Sequence, residues 1–516
     1  MATVRRPHII DRVLGEDDRS ALTDQSVYGG RACKVNRLRN YHVIGRARLL
    51  SRRGYKPYVL AQVNGSAPVQ ALYMDEWGIT RDLYAVAGGA LMLRVVDAWS
   101  NVTGTATIAS GENKHIRWGN FTDGSYNWLF GADGTNIPFA VRNGQSAVPI
   151  SDLGLVPEGN FSPADMIEHH GHILALDDYT LYHTAYGTWD FPNGGKIDTQ
   201  RRSKAVGMTL HSQNVVILFY EHVVYMLEYQ PHEGATWRAL PIAGADGCVS
   251  KGSIFTKDGY TYYAGAKGLN RIDPNMRVKL LTPEVQDYWD SLNQSRRYQI
   301  QAVERGSPWT EVMFLVSEGG SAHHDAVMVW QDQLDAWSIF PRGLSSSATQ
   351  FNCGCNWRDS SLLDRTLFGG LDGYVYEAFG TSNTDSGLTD NGVAIRYQIQ
   401  TGFMNFGYPG IVATREVIID GEVTANIDFN IAATTLGGQT PVQKTLSMGV
   451  SGDLLDVGFR LDESYLSDTS LSQGHVSLNV DGRGVQLDIT RTSSGETPHI
   501  LTAFTIPHLL KRMKST

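Results

Sequence analysis

Six short strand–turn–strand units punctuate this chain, and the spacing of the first five is nearly constant. Their turns fall at Gly88-Gly89, Asp133-Gly134, Asp177-Asp178, Glu221-His222 and Lys267-Gly268, at intervals of 45, 44, 44 and 46 residues. The sixth, Asp372-Gly373, follows 105 residues after Lys267. Apolar and aromatic residues flank each turn, as in Val215-Val216-Ile217-Leu218-Phe219 before Glu221 and Val223-Val224-Tyr225-Met226 after it. Phe314-Leu315-Val316 and Val327-Met328-Val329-Trp330 supply a further unit within the long interval. A period of about 45 with strand-forming residues around Gly/Asp turns is that of a β-propeller, one four-stranded blade per unit. The expectation is an all-β fold built on a six- or seven-bladed β-propeller. A β-sandwich array and a β-helix, which also turn often, are the alternatives.

Composition agrees: 54 Gly, 23 Tyr and 11 Trp with only 19% charged residues suit a turn-rich β-protein. At 516 residues the chain exceeds one ordinary core, so more than one domain is expected. No run approaches the length of an apolar membrane span, and Met1 to Arg12 has no apolar centre of the kind a secretory signal needs. Four Cys are too few for a disulfide framework, and Cys353-Gly354-Cys355 has no second pair to complete a zinc site.

Three regions follow: a basic N-terminal segment (1–60), the propeller (61–380) and a C-terminal β-sandwich (381–516). Thr282 as N-cap, Pro283 and Glu284 open a helix within the propeller, with Val285, Tyr288, Trp289 and Leu292 on one face. A polar, turn-forming linker runs from Gly380 to Gly392. Beyond it, alternation in Ala394–Gln400 and Val423–Ile431 gives half-buried strands, and Val476–Val480, Asp481-Gly482 and Val485–Ile489 read as a hairpin.

Charge is uneven. Residues 1–56 carry thirteen Lys/Arg against five Asp/Glu, and no carboxylate occurs between Gln25 and Met74. The net charge of −9 therefore divides into +8 for this segment and −17 for the rest. Two readings stand: a basic surface for a polyanionic or acidic partner, or a basic strand pair docked on the chain's own acidic body. Arg46, Arg48, Arg52 and Arg53 are the candidates for an interface or a phosphate-facing ring.

Catalytic patterns are missing. The sialidase Asp-box is absent, since Tyr186-Gly187-Thr188-Trp189 has the Thr-Trp without the spacing, and there is no P-loop, Gly-x-Ser-x-Gly or dinucleotide fingerprint. His169-His170-Gly171-His172 and His323-His324-Asp325 are rich in imidazole, but neighbours in a strand face opposite ways and cannot share one ion. The expectation is a non-enzyme with no catalytic, cofactor-binding or metal site and no cofactor.

Three stretches carry a resemblance. They are Asn36-Arg37-Leu38 with Leu50-Ser51-Arg52-Arg53-Gly54-Tyr55; Trp289-Asp290-Ser291-Leu292-Asn293 with Val312–Val316, Val327–Trp330 and Ala336-Trp337-Ser338-Ile339; and Gly369-Gly370-Leu371-Asp372-Gly373-Tyr374-Val375-Tyr376. In that order they resemble the β-propeller tail-nozzle and head-completion (packaged-DNA stabilisation) proteins of short-tailed bacteriophages. The similarity spans most of the chain, with Arg52 and Arg53 standing where that family commonly has a Pro. It implies a virion structural protein forming a ring, commonly a homohexamer, through which the genome is retained and ejected. It also implies docking to a tail adaptor or other tail proteins and transient contact with double-stranded DNA. Assembly would take place in the host cytoplasm, with no membrane span. The alternative function is a propeller module that recognises a host-surface glycan or protein.

Overall fold

The computed structural model describes residues 5–10, 12–17, 32–44, 48–75, 81–112, 114–142, 145–193, 195–198, 203–230, 236–305, 311–341, 350–358, 364–379, 389–404, 411–423, 425–436, 441–449, 470–492 and 499–511. It contains a seven-bladed β-propeller. Blade one is Val69–Asp75, Asp82–Ala87, Ala90–Val95 and Ala98–Asn101, paired antiparallel in that order. Blades two to six repeat the pattern, opening at Arg117–Thr122, Asp165–His169, Ala205–Ser212, Phe255–Lys257 and Gln301–Arg305. Blade seven has three strands from this region, Phe351–Arg358, Asp364–Gly370 and Val375–Ala378. Its fourth is Tyr55–Pro57, from the N-terminal side of blade one. The ring thus closes by pairing strands more than 300 residues apart, with Ala378 opposite Tyr55.

Every turn of the sequence repeat joins the second and third strands of a blade. The reason is backbone conformation: Gly88, Gly89, Gly134, Asp178 and Gly373 all have positive φ, which Gly tolerates freely and Asp more readily than most. Gly268 serves differently. An added Cβ there would lie 1.9 Å from Thr282 Oγ1, so the residue is small to admit a close approach.

Alternating apolar residues on both faces of each blade make seven separate inter-blade cores. Leu129, Phe139 and Val141 of blade two meet Tyr84, Val86 and Leu91 of blade one, and Val69, Leu83 and Ala85 of blade one meet Cys353, Trp357 and Leu367 of blade seven. The expected helix lies between blades five and six. Thr282–Val285 forms a 3₁₀ turn and Gln286–Ser291 one α-turn, with Val285, Trp289 and Leu292 in the core shared with Trp330 and Trp337. Thr282 is not the cap. Leu281 holds that position, and Thr282 is buried against Gly268.

The second domain is a β-sandwich. One sheet runs Ser470–Gly482, Ile411–Val423, Ile500–Lys511, Arg48–Ser51, Tyr41–Ile44, with Arg5–Ile10 also on Ile500–Lys511. The facing strands are Arg37–Arg39, Arg396–Gln400, Val485–Thr492, Ile427–Thr435 and Val442–Met448. Val417, Ile419, Val476, Leu478, Phe429, Ile431, Leu487 and Ile489 fill the core between them. The expected hairpin at Asp481-Gly482 is a crossing between sheets: Val480 pairs with Thr414 and Ile489 with Ile399 and Ile431. Both strands turn their apolar residues to the same core from opposite sides.

Strands from the basic N-terminal segment are built into both domains. Arg37–Arg39 joins the outer strand of blade six, Ala336–Pro341, to the sandwich strand Arg396–Gln400. The chain then makes two sandwich strands before closing blade seven.

Candidate functional site

Among the four candidate arginines, Arg46 lies outside the described residues. Arg48 Nη1 donates to Glu422 Oε1 at 2.9 Å on the partly exposed sandwich surface. Arg53 is half-buried. Arg52 is 2% exposed and cannot face phosphate or a partner. Its Nη1 and Nη2 donate to the two carboxylate oxygens of Asp390, both at 2.7 Å. Its Nε donates to Asn40 Oδ1, and its cation sits over the rings of Phe340 and Phe379. Lys34 likewise pairs with Glu284. Of the two readings of the basic segment, these contacts fit docking on the chain's own acidic body: Lys34, Arg48 and Arg52 each meet a carboxylate of this chain.

Arg52 belongs to a buried polar seam between sandwich and propeller. His42 Nδ1, on the sandwich strand Tyr41–Ile44, lies 2.8 Å from Glu311 Oε1 on blade six. Arg305, opposite Glu311 in the blade, donates from Nη1 to Glu311 Oε2 at 3.1 Å and lies 3.0 Å from His42 Nε2. Burial drives His42 below its ordinary pKa; Glu311 opposes this, and Arg305 and Arg52 reinforce it. Burial would raise Glu311, but His42 and Arg305 outweigh it and hold the carboxyl below its usual range. A small cavity of about 20 Å³, room for one water, borders Arg52, Phe340, Phe379 and Asp390.

A second polar system surrounds the propeller axis, where the first strand of each blade lies innermost. Arg117 of blade two reaches two other blades and the segment leading into a third. Its Nε donates to Asp165 Oδ2 at 3.1 Å, Nη2 to Met208 O at 3.1 Å, and Nη1 to Ile254 O at 3.1 Å. Lys251 Nζ returns to Ala164 O, Ser250 Oγ donates to Ile300 O, and Asn352 Nδ2 donates to Val69 O. The inner strands around the axis are therefore tied to one another by the protein's own groups. Burial pushes Lys251 down to about 8, partly opposed by Asp165.

The histidine clusters resolve into structural contacts. His169 Nδ1 accepts from Trp237 Nε1 at 3.0 Å while Nε2 reaches Gln213 O. His170, at a hairpin tip with φ 54°, stacks on Tyr229. Because the chain turns there, the two rings lie 4.4 Å apart, and the strand alternation expected to separate them does not apply. His324 Nε2 lies 2.9 Å from Gln299 O. Among the described residues no group of three or more His, Cys, Asp or Glu could hold a metal ion. No helix there is long and apolar enough to cross a membrane.

No family model and no curated protein matches this sequence. Similar solved structures include the extracellular domain of a putative hybrid two-component system, BT4673, from B. thetaiotaomicron, with TM-score 0.42 and 9% identity over 63% of this chain. The match covers 40% of that domain's own chain. BBS1N in complex with ARL6DN gives TM-score 0.40 and 10% identity, covering 65% of this chain and 98% of that one. YCF48 bound to D1 peptide gives 0.37 and 13%, covering 64% and 100%. The propeller assignment rests on this chain's own strand pairing, and these distant likenesses say nothing of its ligands.

Sequence reasoning missed Asp390, His42, Glu311, Arg305 and Arg117. One signal was present: Asp390 sits in a stretch read as linker, yet it is followed by Asn391 and Gly392, both at positive φ, which fold a tight turn that holds it in place.

Proposed function

We propose that this chain is a non-catalytic structural subunit of a short-tailed phage tail, several copies of which form the nozzle or head-completion ring that retains and releases the genome. The ordered resemblance across the chain supports this reading. The observation that carries it is the cross-linked inner wall: Arg117 is bonded to blades three and four and to the approach to blade five, so we read one propeller as part of a conduit's wall and not as the conduit. A conduit must then lie between copies. A net charge of −17 outside the first 56 residues suits a wall that repels phosphate, since each Lys/Arg–phosphate contact releases counterions and holds the DNA. Strand pairing and the buried seam join the two domains, which suits a wall built from both. The competing reading, a propeller that captures a glycan or protein, needs an open polar funnel on the axis, where Arg117 is already bonded to Asp165 and Lys251 to the Ala164 carbonyl. The test is electron microscopy of the purified chain with and without its tail adaptor: closed rings support the proposal, and monomers in both samples overturn it.

A further inference from the structure

We propose that the propeller–sandwich seam is a proton-operated latch, with His42 as its proton acceptor and the strand Tyr41–Ile44 as the part that moves. The chemistry is set by which nitrogen holds the hydrogen. Glu311 Oε1 can only accept when ionised, so His42 Nδ1, 2.8 Å away, is the donor. Nε2 is then the nitrogen without a hydrogen, and the Arg305 guanidinium lies against that edge of the ring, its Nη1 3.0 Å from Nε2 and 3.2 Å from Nδ1. The next residue along repeats the arrangement on the other face of the strand. Tyr41 Oη lies 3.1 Å from His499 Nε2, and Arg491 Nη1 donates to His499 Nδ1 at 2.7 Å. Each imidazole thus has an arginine against it, and at His499 that arginine takes the one acceptor nitrogen.

Charge balance gives the consequence. Around His42 the charged groups are Glu311 and Arg305 on blade six, Arg52 from the sandwich's own connection to blade seven, and Asp390 bound to Arg52. Two carboxylates meet two guanidiniums. The rings of Phe340 and Phe379 also lie beside the imidazole, and they cannot solvate an added charge. A proton on Nε2 would put a second positive charge beside the Arg305 guanidinium and leave it uncompensated in a site where His42 is 2% exposed. Releasing the strand returns the imidazole to water, where it accepts the proton at its ordinary pKa. On the far side, opening would also free His499, held well below its ordinary pKa by burial and by Arg491. No residue of Tyr41–Ile44 enters the seven inter-blade cores.

Hydrogen exchange of the full chain, read by mass spectrometry and corrected for intrinsic rates, tests the latch. Between pH 6.5 and the pKa of the closed state, each proton coupled to opening lowers protection about tenfold per pH unit. Amides of Tyr41–Ile44 are expected to lose protection with a slope of one to two decades per unit while the second strands of blades two to five stay protected. His42→Gln keeps a donor for Glu311 but cannot take a proton, so its slope falls by about one. An unchanged slope in that variant overturns the proposal. So does a wild-type seam that is insensitive to pH, or one that exchanges together with the blades, and neither of these readings depends on the variant folding.

Discussion

Asp390→Asn is the perturbation from which the seam predicts most. Asp390 is fully buried, and Arg52 is 2% exposed. The carboxylate receives two charge-assisted hydrogen bonds from Arg52, both 2.7 Å. An amide can replace at most one of them, and its NH₂ would point at a guanidinium that has nothing to accept with. The variant also leaves Arg52 with its charge buried and uncompensated, because Asn40, the carbonyls of Arg53 and Pro341, and two phenyl rings supply no opposite charge. Breaking a buried pair from one side costs about 3–5 kcal/mol. The desolvation belongs to both ions, so removing both is different: Arg52→Met with Asp390→Leu should cost much less than Asp390→Asn alone. Arg48→Gln is the surface control. Its pair with Glu422 is 39% and 25% exposed, and its loss should stay within about 0.5 kcal/mol. Urea unfolding followed by tryptophan fluorescence measures all three. A loss below ~1 kcal/mol for Asp390→Asn, or a double variant as damaged as the single, refutes the reasoning. It also follows that changing Arg46, Arg48, Arg52 and Arg53 together cannot probe assembly, since Arg52 would disturb the fold first.

Acid should destabilise the chain from about pH 6.5 downward. Burial pushes His115 and His169 down to about 4 and His324 to about 3. The native state thus binds fewer protons than the unfolded chain below pH 6.5; stability from these groups is full above that pH and is lost toward pH 4. At pH 5 each contributes a loss of ~2 kcal/mol at most, and a urea midpoint unchanged between pH 7 and pH 5 contradicts this. Gly373→Ala should cost at least about 1–2 kcal/mol from its left-handed backbone alone. Its φ is 84° and the new Cβ would lie 2.2 Å from Gly65 O. A thermal melt that matches wild type would show that the blade-seven turn is not the close contact described.

The propeller was legible because its hairpins announce themselves locally. A turn such as Asp133-Gly134 needs a positive φ, and only a few residue types accept it, so turn chemistry and apolar flanks recur at the blade period. Blade seven was legible only in part, since its closing strand Tyr55–Pro57 is three residues long and lies in the basic segment. The crossing at Asp481-Gly482 misled because alternation specifies which face is buried, not which strand is the neighbour. Val476–Val480 and Val485–Ile489 have the same pattern whether they pair or face each other. The seam was hidden for another reason. Arg52 and Asp390 are 338 positions apart, and each alone looks like an ordinary surface charge. Counting charge along residues 1–56 identified a segment that seeks carboxylates, but not whether those carboxylates lie within the chain or outside it.

Native mass measurement of the purified full chain across a concentration series, alone and with the adaptor protein, tests the central claim most directly. The account predicts a discrete closed assembly of several copies, formed by the chain itself or on the adaptor. A chain that stays monomeric at every concentration and with the adaptor, while binding a host-surface glycan with a defined stoichiometry, would contradict it.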